Sequence, residues 1–229
     1  MDVGVLYGLL SLSMTGVVVA EIDAAARRYR VRIDGQGPGA EIHTDTSGII
    51  RDGRFLPTES KGRQTLRGRE SSVSISYRHD AGVVEYHSLG YTLLLGRRRQ
   101  VDDVVRIPPG QHVDDLVSAY LNFAANKLET DGDGSYQTLI ARRAWKDDEG
   151  PDDVSAAGYR AQLTPLRFRV TTDAQTGRLS GDLDMKGLSS WALAGRPARM
   201  TFDSSRHLES VHTSLILGTT VAVRINLGA

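Results

Sequence analysis

Residues 27–33 read RRYRVRI, with Tyr29, Val31 and Ile33 alternating with Arg28, Arg30 and Arg32. Successive side chains of a strand point to opposite faces, so this pattern predicts a strand with one apolar and one cationic face. The period returns at residues 72–78, where Val73, Ile75 and Tyr77 alternate with polar residues. His79, Asp80, Ala81 and Gly82 then form a turn, and residues 83–88 come back as the hairpin partner. Further strand patterns cover residues 2–9, 11–23, 54–62, 135–145, 159–163, 166–171, 179–185, 198–202, 208–217 and 219–225. Turn residues separate most of them, which fits the 24 glycines of the chain. The sequence predicts an antiparallel β protein of roughly ten or more strands.

One segment breaks the period. Residues 114–128 read DDLVSAYLNFAANKL, and Leu116, Tyr120, Phe123 and Leu128 fall near one helical face. Asp114 is the expected N-cap, Asp115 suits the positive helix start, and Lys127 suits the end. The apolar arc is wide, so the helix is expected to be largely buried against a curved sheet. The fold reading is therefore mainly β: a strongly curved antiparallel sheet, or half-barrel, wrapped on one central helix at residues 114–128. Residues 1–229 are read as a single domain, with a flexible loop near residues 146–156. Residues 3–20 form the most apolar run, but Asp2 gives it the wrong charge for a signal peptide, and it is too short and polar for a membrane helix. They are read as strands, with no transmembrane segment.

The charge balance limits function. Twenty-eight basic and 28 acidic residues cancel, which gives no electrostatic footing for nucleic acid. There is no cysteine, hence no disulfide, thiolate nucleophile or cysteine metal site. Of the basic residues 24 are Arg, a preference that reads first as base composition. The histidines, His43, His79, His87, His112, His207 and His212, form no metal-binding spacing. No G-x-S-x-G elbow occurs, and the glycines of residues 34–39 are misplaced for a dinucleotide loop. A calcium loop starting at Asp131 fails because Arg142 stands where its last acid belongs. Neither the acidic run 147–153 nor Arg97, Arg98 and Arg99 reads as more than a solvated turn or strand end. The sequence therefore assigns no catalytic residue, metal or cofactor. Tyr86, Tyr91, Tyr120, Phe123, Trp145 and Trp191, with Leu116, are the candidate lining of an apolar pocket between helix and sheet. Tyr120 and Phe123 would form its wall on the helix.

Several stretches together resemble a bacterial family known only as domain of unknown function 3108. They are Tyr7-Gly8-Leu9 followed by Tyr29-Arg30-Val31, the segment GRFLPT at residues 53–58, VDDLVSAY at 113–120, and GRPARM at 195–200. Asp115 replaces the proline usual in the third of these, and residues 135–184 depart most from the pattern. The resemblance implies a periplasmic protein whose signal peptide has been removed from this chain, with a curved sheet like that of lipoprotein carriers. It supplies no catalytic residues. The function expected on this basis is non-enzymatic binding or carriage of an apolar or lipid-like ligand in cell-envelope maintenance. The alternative is an envelope interaction or assembly protein that uses sheet edges and the Arg28, Arg30 and Arg32 face.

Overall fold

Tight turns between consecutive strands generate half of the structure. At Asp52 and Gly53 both residues take positive φ, 53° and 76°, which is the primed turn geometry that matches strand twist. The computed structural model describes residues 2–5, 10–13, 15–66, 68–92, 95–144, 149, 152–155, 158–175, 177–185, 196–214 and 220–224, with side chains for those between 15 and 213. In chain order the elements are β1 (Asp2–Val5), β2 (Leu10–Ser13), β3 (Thr15–Asp23), β4 (Arg28–Gly37), β5 (Ala40–Arg51), β6 (Arg54–Leu66), β7 (Arg69–Arg78), β8 (Val83–Tyr91) and β9 (Arg98–Arg106). They continue with β10 (Val113–Asp114), α1 (Leu116–Ala124), β11 (Glu129–Thr130), β12 (Tyr136–Arg143), β13 (Ala161–Thr172), β14 (Leu179–Leu183), β15 (Ala198–Phe202), β16 (Leu208–Ser214) and β17 (Thr220–Arg224).

The structure is mainly β, with one α-helix among the described residues. Its strands are divided between two sheets, and neither closes into a barrel among the described residues. The first is a seven-stranded antiparallel meander, β3 to β9 in chain order. The second has ten strands, in the order β10-β12-β13-β14-β15-β16-β17-β1-β2, with β11 beside β12. Among the described residues only the short β10–β12 pair is parallel.

Two strands of the meander, β5 and β9, have no clear alternation in the sequence. β5 turns Ala40, Thr46 and Gly48 inward, and Thr46 is fully buried despite its hydroxyl, which hydrogen-bonds Ser60. A bulge between Ser47 and Gly48 shifts its register against β6. Glycine is required at position 48: a Cβ there would lie 2.1 Å from the Leu56 carbonyl oxygen and 2.6 Å from the Tyr29 ring. The Tyr29 ring uses that space to meet Phe55 edge-on at 5.2 Å. Where residues 159–163 and 166–171 suggested two strands, one strand, β13, runs through Pro165.

The helix is shorter than its pattern and starts one residue later than expected. Asp114 is not its N-cap but ends β10. Asp115, in extended conformation, caps the helix by accepting the Ser118 N–H at 2.8 Å. This phase turns Ser118, Ala119, Asn122 and Phe123 into the protein and leaves Leu116 58% exposed. The inward face is thus small and polar at one end and aromatic at the other.

Phe123 occupies the centre of the main aromatic cluster. It contacts Tyr136 and Phe168 edge-on at 5.1 and 5.2 Å, and Phe202 at 5.0 Å. The Arg206 guanidinium covers its ring at 5.1 Å. A second cluster, Ile75, Tyr77, Val84, Tyr86, Val101, Val113 and Ala141, joins the meander to β10 and β12. Because Phe123 is only 1% exposed and packed on four sides, Phe123→Ala should cost about 3–5 kcal/mol of stability. A urea unfolding curve with unchanged slope and a lowered midpoint is the expected result.

Candidate functional site

The interior between α1 and the meander is polar. Asp114 is fully buried, and its Oδ2 accepts from Arg54 Nη2 at 2.8 Å and from the Thr138 hydroxyl at 2.6 Å. Its Oδ1 accepts from Asn122 Nδ2 at 3.1 Å. Asn122 also brackets the backbone of Phe55, accepting from its N–H at 2.8 Å and donating to its carbonyl at 2.9 Å. One turn away, the Tyr29 and Ser118 hydroxyls share a hydrogen bond of 2.7 Å.

Two acids and one guanidinium occupy this space, and burial raises both acids. Burial pushes the Asp114 carboxyl up, while the Arg54 charge and the Thr138 hydroxyl pull it back. Burial pushes Asp115 up to about 6, against the hydrogen bonds from Ser118, and the Asp114 charge adds to the rise. The Tyr29 and Tyr77 phenols are held neutral, first by burial. Asp115 Oδ2 and the Tyr77 hydroxyl find no hydrogen-bond partner among the described residues. The charge accounting of this node is structural: an ion pair, a helix cap and a carboxyl whose ionisation is costly.

The residues named as pocket lining fall in different places. Phe123 fills the aromatic core, and Tyr120 is partly buried beside it, with its hydroxyl accepting from the Leu208 N–H at 3.2 Å. Leu116 faces outward. Tyr86 belongs to the second cluster, and Tyr91 is 37% exposed at the end of β8. Trp145 lies outside the described residues, as does Trp191. The structure therefore brings Tyr120 together with Phe123, and Tyr86 near Tyr91, but does not join the two pairs across one cavity.

Tyr86 and Tyr91 do share a trough of about 520 Å³ on the inner face of the meander, beyond the part covered by α1. Ile42 and Val73 contribute apolar floor, and Arg142 and Arg143 line one end. Arg143 and Arg99 both pair with Glu149, at 2.8 and 3.2 Å, and this carboxylate is only 8% exposed. Asp153 accepts from Arg99 through its carbonyl, and Asp152 accepts the Leu95 N–H. The described residues of the acidic segment are thus tied to β9, β12 and the turn before β9. Leu95 and Arg99 lie more than fifty residues from Asp152 and Asp153, so linear spacing does not display these ties.

The third feature is β3. It pairs with β4 along one edge and with no strand along the other among the described residues. All nine of its residues are exposed, including Val17 at 62%, Val18 at 52%, Val19 at 40% and Ile22 at 50%. On the adjacent cationic face, Arg30 pairs with Asp45 and Arg32 with Glu21. Arg30 and Arg32 of β4 are therefore answered within the sheet.

Among the described residues no three His, Asp or Glu side chains converge as a metal site, and no helix is long and apolar enough to cross a membrane. No protein-family model matches the chain, and no match to it is found among curated proteins or solved structures.

The node yields a pH prediction. With its pKa at about 6 in the fold and 3.8 as the ordinary value, Asp115 binds more protons folded than unfolded across that interval. Its contribution is most favourable below pH 4 and is lost as pH rises through 6, a swing of about 3 kcal/mol. Asp115→Asn keeps a capping oxygen and removes the titration. Its stability relative to the parent should rise between pH 4 and 7, as read by thermal midpoints. Asp115→Ala should instead lose about 1 kcal/mol at low pH with the cap.

Proposed function

We propose that this chain is a non-enzymatic interaction protein that accepts a partner's strand on the open edge of β3. The observation that carries the reading is the exposure of a nine-residue, apolar edge strand. Such an edge offers a row of free N–H and C=O groups for strand addition, and side chains on both faces add specificity. The polar node also favours binding over catalysis, since Asp114 is buried and bonded to Arg54, Asn122 and Thr138. The family resemblance supports a periplasmic setting, where the partner would be another envelope protein.

A photo-crosslinking side chain at Val17, carried by the protein in its own cell, should give a discrete protein adduct. Val18→Lys combined with Ile22→Lys should abolish the adduct while the circular dichroism spectrum stays unchanged, because both sites are exposed. Absence of adducts from every β3 position would exclude the reading.

A second reading, binding of an apolar or lipid-like ligand, is favoured by the trough that Tyr86 and Tyr91 share with Ile42 and Val73. Its volume is within the range of small-molecule sites. Ser71 lines the trough, is half-buried and belongs to neither apolar cluster, so Ser71→Trp should fill the trough without disturbing the core. Uptake of a fluorescent fatty acid should then weaken by about tenfold, or roughly 1.4 kcal/mol. Unchanged uptake, or no uptake by the parent, would set this reading aside.

A further inference from the structure

The two edges of the meander are treated differently. Natural edge strands are guarded by shortness, proline, lysine, bulges or a covering segment. β9, at one edge, carries Arg98, Arg99, Asp102, Asp103 and Arg106. Asp103 Oδ2 also accepts the Ala161 N–H of β13 at 3.0 Å, which draws a strand of the other sheet to it. β3, at the other edge, has no proline, lysine or bulge, and pairs regularly with β4 from Thr15↔Gln36 to Asp23↔Arg28.

We propose that β3 pairs antiparallel with β3 of a second copy, about a two-fold axis through Val19 perpendicular to the sheet. The inference rests on the strand-addition reading above and names the partner. This register overlaps all nine residues and sets Thr15 opposite the partner's Asp23, Gly16 opposite Ile22, Val17 opposite Glu21 and Val18 opposite Ala20. Opposed residues of an antiparallel pair share a face. Val18, Ala20 and Ile22 lie on the face that continues the buried Val31 and Tyr29 of β4, because Ala20 pairs with Val31 and Ile22 with Tyr29. The two-fold axis joins these apolar rows into one.

Shape and charge agree with a second copy. A Cβ on Gly16 would lie 2.3 Å from the Asp34 carbonyl oxygen, so no side chain can stand there. The partner's Ile22, half exposed in the single chain, therefore meets no side chain at position 16. Both acids of β3 fall opposite uncharged residues, so no like charges meet. The chain has zero net charge, so copies do not repel at long range. Nine opposed pairs, alternately hydrogen-bonded, give about eight to ten backbone hydrogen bonds across the axis.

The absence of cysteine makes the test direct. Sedimentation of the full chain from about 1 to 100 μM, spanning a micromolar interface, should reveal a species of twice the 24.9 kDa chain mass. Val19→Lys and Val19→Glu should each be monomeric, and an equimolar mixture should recover the dimer, because position 19 faces itself. Oxidised Val19→Cys should form a covalent dimer, since opposed Cα atoms about 5 Å apart are in disulfide range. Thr15→Cys should not, its two copies lying at opposite ends of the pairing. A monomer at every concentration, or equal cross-linking at positions 15 and 19, would overturn the inference. If the photo-adducts at β3 carry a different protein and the chain is monomeric, the second copy is wrong and strand addition stands. If there are neither adducts nor dimers, both fail.

Discussion

A buried carboxylate holds the helix, the meander and the second sheet in one arrangement. Asp114 has no contact with water, so it is tolerated only where donors surround it. Its donors come from three elements: Arg54 of β6, Asn122 of α1 and Thr138 of β12. Moving any of these by a turn or a strand register would leave the buried carboxylate short of a donor. The requirement also fixes the rotation of α1, because the helix must present Asn122 to Asp114 and Phe55 together. β7 does not pair with β6 before Glu59, so the first residues of β6 lack a neighbour on that side. Asn122 and His79 take its place, His79 meeting the Pro57 carbonyl oxygen at 2.7 Å. The polar face of the helix thus substitutes for a missing stretch of strand.

This explains which parts of the structure were legible in the sequence. β4, β7 and β8 were readable because each has one dry and one wet face, which imprints a period of two. β5 was not, because its interior positions are filled by Thr46 and Gly48, whose roles are a hydrogen bond and an absent side chain. β9 was hidden by charges that serve as edge protection. The helix was visible but its phase was not. An apolar pattern favours burying Leu116, whereas the structure buries Ser118 and Asn122 because Asp114 needs a donor and Tyr29 needs a hydroxyl. Both Asp114 and Asp115 look like capping residues, and only the three-dimensional placement of Arg54 separates ion pair from cap.

The candidate site was less legible than the fold. Aromatic residues in a β protein with one helix suggest a lined pocket, yet Phe123 shows that the same residues can complete a core. Their packing depends on partners such as Phe168 and Phe202, tens of residues away. The exposed edge of β3 was closer to the surface of the sequence. Its three consecutive valines were recognised as strand, but a linear pattern does not say whether a neighbour lies on the far side.

The two sheets also differ in when they can form. Every pairing in the meander joins neighbours in the chain, so it can assemble hairpin by hairpin, with short loops to close. The other sheet pairs Asp2 with Ala222 and Val3 with Val221, bringing together segments more than two hundred residues apart. During synthesis the meander can be complete while β1 still waits for β17. In that interval β3 leads back to two strands whose sheet has not yet formed.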